Sequence, residues 1–167
     1  MARRIVVKNL STKEFEKAKR SVESYQRTLE NRVQSLISAL TEKGERIAKV
    51  TVQQMGAFDS GNLESSIHGY YSPGLGVGII KTNCYYAVFC EFGTGARGRE
   101  AQHPKSGEVG YQYDVNNHGE DGWFFTNSET GKSGWTTGMP SRPFMYETAM
   151  QLRAECLKLA KQELRSR

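Results

Sequence analysis

Cysteine is scarce in this chain, and its three copies, Cys84, Cys90 and Cys156, form no CxxC pair. An odd, unpatterned set argues against a disulfide framework or a zinc module and suits reduced thiols in a cytoplasm. Proline is nearly as rare, with four residues in 167, none of them between Thr12 and Met55. No apolar run reaches membrane-spanning length, and residues 1–7 offer only Ile5, Val6 and Val7 after a basic start, far short of a signal-peptide core. The expectation is a soluble protein made and kept inside a cell, with no membrane partner. A concentrated basic face is missing too. The 23 Lys and Arg outweigh the 18 Asp and Glu to give +5, but Arg3, Arg4, Lys8, Arg165 and Arg167 sit at the ends and the others are dispersed. With no basic helix carrying interleaved aromatics, a nucleic-acid-binding module is the secondary reading.

What the proline-free stretch does contain is a helical stripe. Phe15, Ala18, Val22, Tyr25, Leu29, Val33, Leu36 and Leu40 recur at gaps of three and four, nearly a heptad pattern. Ser11 or Thr12 can cap its start, and Glu14 and Glu16 suit the positive end of the helix dipole. The spacing predicts a helix over 12–55 with a possible bend near Gly44, since glycine weakens a helix interior. Forty such residues extend about 60 Å, longer than a domain of this size is wide. The helix must therefore fold back at its ends or meet another subunit.

A length of 167 residues with 37% hydrophobic content suits one domain, 1–167. It divides into an N-terminal arm (1–11), the long helix (12–55), a β region (56–143) and a C-terminal helix (144–165). In the β region, residues 65–71 and 77–80 read as strands joined by Ser72-Pro73-Gly74-Leu75-Gly76. Residues 84–92 read as a third, central strand, and Trp123-Phe124-Phe125-Thr126 as a fourth. Between these two lies a loop, 93–122, with seven glycines and no periodicity. Met145, Ala149, Leu152, Cys156 and Leu159 mark the last helix. The expected class is α+β: a long N-terminal helix, a small antiparallel or mixed sheet of about four strands with a long glycine-rich insertion, and a C-terminal helix packed on the sheet.

Signals for chemistry are weak. Gly93-Thr94-Gly95-Ala96-Arg97-Gly98 spells the dinucleotide pattern GxGxxG, but Arg99 to Pro104 and the polar residues beyond suggest no helix for a pyrophosphate to cap. Glycines allowing a tight turn explain it better, and no cofactor is expected. His68, His103 and His118 are far apart and share no ligand spacing, so no metal site is expected. A cysteine nucleophile is the least favoured alternative, since Cys84 and Cys90 lie in an apolar run. Glu91, in the run Val88-Phe89-Cys90-Glu91-Phe92, must face solvent, a subunit boundary or a positive group such as Arg97. Trp123 and Trp135 flank a glycine-rich turn as aromatic anchors or, if exposed, as an interface hot spot. Pro143 and Phe144, after Ser141, mark a helix start.

Three blocks in order carry a resemblance: Asp59, Gly61, Leu63, Ser66 and Ile67; then Glu91-Phe92-Gly93-Thr94-Gly95; then Pro143-Phe144. From about residue 55 to 150 the chain resembles the neck and tail-completion proteins of siphovirus-type tailed bacteriophages and prophages. The resemblance implies an α+β subunit of the head-tail connector that assembles as a ring of about six copies. It implies contacts with head-completion proteins and with tail-terminator or tail-tube proteins, and DNA that passes through without being specifically held. It also implies residence in the host cytoplasm during assembly and then in the virion neck or tail, with no catalysis.

Overall fold

The computed structural model describes residues 11–57, 61–114, 116–127 and 131–164. Helix α1 (Thr12–Gln54) runs unbroken for 43 residues, with the Ser11 hydroxyl accepting from the Glu14 N–H at its start. After a one-turn helix α2 (Asn62–Ser65) comes an antiparallel hairpin, β1 (Ile67–Ser72) and β2 (Val77–Thr82), in the register Ile67 opposite Thr82. Helices α3 (Ala87–Phe92), α4 (Gly95–Glu100) and α5 (Ser106–Val109) follow. A second hairpin pairs β3 (Trp123–Thr126) with β4 (Ser133–Thr136); then come β5 (Gly138–Met139) and helix α6 (Phe144–Leu164).

The class is α+β as expected, but four expectations fail. There is no four-stranded sheet: among the described residues the strands form two separate two-stranded sheets. The supposed central strand at 84–92 is instead α3. Its buried residues are Ala87, Cys90 and Glu91, spaced i, i+3 and i+4 as on one helix face. Helix α6 lies along α1 rather than on a sheet. Lys43 of α1 pairs with Glu155 of α6, and the Arg32 guanidinium donates to the Leu164 carbonyl at 3.2 Å where α6 ends. The stretch expected to be one loop, 93–122, carries α4 and α5.

The core gathers short stretches of many elements: Ala48 and Val52 of α1, Ala57, Leu63, Ile67, Ala87, Cys90 and Phe144. The buried stripe of α1 is made of small residues, Thr41, Gly44, Ala48 and Thr51, which let the hairpin and α6 approach closely. Gly44 is thus a contact point. A Cβ there would strike Ile80 Cδ1 and come within 2.7 Å of Leu152 Cδ1. Gly44→Val is expected to cost about 1–3 kcal/mol by overpacking, despite valine's better helix propensity; urea unfolding measures it. The β1 strand is tied to α1 by the Gly69 N–H, which donates to Glu45 at 2.8 Å. Glu45 is held below the usual carboxylate range mainly by its hydrogen bond to Lys49, with help from Gly69.

Candidate functional site: a buried carboxylate at a helix start

The region of interest is where α3 meets the start of α6. Pro143 precedes Phe144, and a proline offers no side-chain oxygen to the free N–H groups of the first turn. Glu91 supplies it from another element. Its Oε2 accepts from the Met145 N–H at 2.9 Å and its Oε1 from the Tyr146 N–H at 3.0 Å, the two positions a capping side chain normally serves. The third donor is His103 Nε2, 3.1 Å from Oε1. The Lys105 N–H donates to His103 Nδ1 at 2.9 Å, which assigns the imidazole hydrogen to Nε2. Glu91 and His103 are 8% and 5% exposed, so an acid enclosed by three N–H donors replaces the outward-facing acid that an alternating strand would present. Arg97 is not its partner. That side chain is exposed on α4, and the positive end of the helix dipole plus an imidazole N–H take the role expected of a guanidinium.

Aromatic rings close the site. His103 stands 4.3 Å from Phe92 and edge-on to Tyr146 at 5.5 Å, and Phe92 stacks on Tyr111 at 4.6 Å. The Tyr111 hydroxyl donates to the Gly93 carbonyl at 2.9 Å. Desolvation raises the Tyr111 phenol above its ordinary range. Backbone bonds lock the same place: the Arg142 N–H reaches the Cys90 carbonyl at 2.8 Å, and the Ser141 hydroxyl donates to the Glu91 carbonyl at 2.6 Å.

Gly93-Thr94-Gly95 runs against the segment before α6 through antiparallel bridges, Thr94 to Met139 and Gly95 to Gly138. The helix α4 does open inside the GxGxxG pattern, contrary to expectation, but its N–H groups are used. Gly95 donates to the Tyr113 carbonyl at 2.8 Å and Arg97 to the Thr137 carbonyl at 3.3 Å. With two of its first three N–H groups occupied, this six-residue helix lacks the free first turn that holds a phosphate.

No family model, curated protein or solved structure matches this chain. Its function must be argued from the site.

The other candidate residues fall in three places. Leu63 and Ile67 belong to the core, Gly61 takes φ +80° ahead of α2, and Asp59 lies outside the described residues. Phe144 is fully buried beside Cys90 and Ala87, with Pro143 half-buried before it. Trp123 is half-buried, stacks on His118 at 4.7 Å and lies over Gly95, whereas Trp135 and its cross-strand neighbour Phe124 are exposed together. Sequence reasoning missed His103, Tyr111 and Ser141 as members of one cluster, and no spacing could have found them. Among the described residues no group of three His, Cys, Asp or Glu is placed to hold a metal, and no helix is long and apolar enough to cross a membrane.

Beyond this cluster, Asp114 organises the turn that follows. Its carboxylate accepts from the His118 and Gly119 N–H groups at 2.7 and 3.0 Å, which lowers its pKa, the Gly119 bond most. A depressed folded-state value means that the turn is supported above the unfolded carboxylate range and released as pH falls through the folded one. Amide exchange at His118 and Gly119, corrected for intrinsic rate, should therefore accelerate on acidification before the core amides do.

Proposed function

We propose that this chain is a structural subunit of the head-tail connector of a tailed phage or prophage, a ring-forming copy that acts in tail completion or head-to-tail joining without catalysis. It works in the host cytoplasm during assembly and then in the virion neck or tail. The observation that carries the reading is the convergence of the three resemblance blocks on one body. Glu91 of the second block caps the helix that the third block begins, while Leu63 and Ile67 of the first share a core with Phe144. Every contact around Glu91 is structural, and both nitrogens of His103 are occupied, which leaves no base for a cysteine nucleophile there. Exposed Phe124 and Trp135, together with Tyr85, Val109 and Leu75, supply surface for neighbours such as further copies and the head-completion, tail-terminator or tail-tube proteins.

Light scattering on the full chain over a concentration series, repeated with residues 114–122 shortened, tests the reading. A ring-sized species is expected, weakened when the segment is shortened. A strict monomer that binds DNA saturably at physiological salt would favour the nucleic-acid module instead. Thiol labelling tests the hydrolase alternative: burial pushes the Cys90 thiol up, against a smaller pull from Arg142. Cys90 is expected to stay unlabelled at neutral pH until the chain is unfolded, and rapid labelling in the folded state would reopen catalysis.

A further inference from the structure

The first half of α1 presents an apolar stripe that the described residues leave open. Phe15, Val22, Tyr25 and Leu29 are 56, 52, 51 and 43% exposed. Among the described residues, helix α6 reaches back along α1 as far as Arg32, whose guanidinium donates to the carbonyl of Leu164, the last residue of α6. Farther along, Thr41, Gly44, Ala48 and Thr51 of α1 are buried against α6 and the β1–β2 hairpin, whereas among the described residues the stripe from Phe15 to Leu29 stays open, as does Val33 at its edge, 41% exposed. We propose that a second copy of this chain covers it, with the two α1 tips side by side, parallel and in register.

Spacing and charge select that occupant. Phe15, Ala18, Val22, Tyr25 and Leu29 advance in steps of three, four, three and four, fourteen residues in four steps. That 3.5-residue period keeps a seam facing a partner helix, whereas a 3.6-residue period would turn it slowly away. With Phe15, Val22 and Leu29 as the first position of each heptad, Ala18 and Tyr25 are the fourth, and the next fourth position is Arg32, already engaged by α6. The regular heptad seam therefore ends at the turn where α6 first meets α1. The flanking positions carry Glu14 on one side and Lys19 on the other. In a parallel pair these two lie opposite each other across the seam, twice by symmetry; in an antiparallel pair Glu14 would face Thr28 or Ser35 and gain no charge partner. The outer face is charged, with Glu16, Arg20, Glu23 and Arg27 spaced for pairs within one helix. From Phe15 to Leu29 the seam is about 21 Å long, so a freestanding pair is weak and association should rise with concentration.

The proposal rests on the self-assembly of the preceding reading but can fail separately. In the full chain, Val22→Asp together with Leu29→Asp alters only exposed positions, so the thermal midpoint at a concentration too low for association should stay unchanged while self-association measured by light scattering falls at least tenfold. Unchanged association would overturn the seam and leave the ring reading intact. Orientation is read by oxidative crosslinking against the wild-type background. Phe15→Cys and Leu29→Cys copies are each expected to link to their own kind, and a mixture of the two should give no mixed dimer. A mixed Phe15→Cys to Leu29→Cys link would overturn the parallel register, and absence of any link above background would overturn the pairing. A wild-type chain that remains monomeric at every concentration would overturn both the seam and the assembly on which it rests.

Discussion

Replacing Glu91 by alanine is expected to lower the unfolding free energy by about 3–5 kcal/mol, read as a fall in the urea midpoint at constant slope. The substitution removes the side-chain acceptor at the start of α6 and strands three donors, the Met145 and Tyr146 N–H groups and His103 Nε2. A lost cap alone costs about 0.5–2 kcal/mol, and each donor left buried without a partner about 1–3. Glu91→Gln should be milder. It keeps the shape and one acceptor oxygen, but turns an amide N–H₂ toward groups that are themselves donors. The order wild type, then glutamine, then alanine separates the acceptor role from simple packing. The local readout is hydrogen exchange: Met145 and Tyr146 amides should lose protection before the middle of α6 does. An alanine variant within about 0.5 kcal/mol of wild type would mean that water replaces the carboxylate, and the buried clasp would no longer explain why the Glu91 block and the Pro143-Phe144 block meet.

How much of this was readable beforehand depends on how far apart the cooperating residues lie. The long helix was legible because its periodicity is sustained and proline-free; its N-cap at Ser11 and its end near Gln54 fall close to the expected bounds. The first hairpin was legible because Ser72 to Gly76 carry turn chemistry between two short apolar runs. Residues 84–92 failed for a physical reason: so short an apolar run satisfies both periods, and its aromatic and β-branched members tip a local judgement toward strand. Tertiary cover decided the matter: Ala87 and Cys90 join the core with Phe144 and Leu63, Glu91 is buried at the start of α6, and Val88 stays exposed. Glu91 was visible as an anomaly, an acid in an apolar run, yet its partners could not be guessed, because a histidine twelve residues on and two backbone N–H groups over fifty residues away leave no mark on spacing. At Gly44 the sequence likewise left no mark of what approaches it, Ile80 and Leu152.

Gly138→Ala is expected to be the most damaging addition of a single methyl group in the chain. Gly138 has φ +101°, a conformation that side-chain-bearing residues rarely adopt, and its bridge partner is Gly95, with Thr94 immediately beside it. A Cβ there would overlap the Thr94 carbonyl oxygen, with the carbonyl carbon at 2.5 Å and Gly95 Cα at 3.0 Å. All of these atoms are backbone, so no rotamer change relieves the contact, unlike the movable methyl ends that surround Gly44. Strain from the positive φ costs about 1–3 kcal/mol by itself, and displacement of the Gly93-Thr94-Gly95 segment would take the Met139 N–H from the Thr94 hydroxyl as well. A total near 3 kcal/mol or more is expected, with Gly107→Ala as the matched control, since Gly107 has an ordinary φ and open space around it and should change stability by no more than about 0.5 kcal/mol. The contrast between these two variants decides why glycine stands beside the acid at Glu91. If both behave like wild type, the glycines serve only as turn formers. If Gly138→Ala alone unfolds the chain, the Gly-Thr-Gly block is a docking strip for the segment that leads into α6, and it holds Glu91 at the start of that helix.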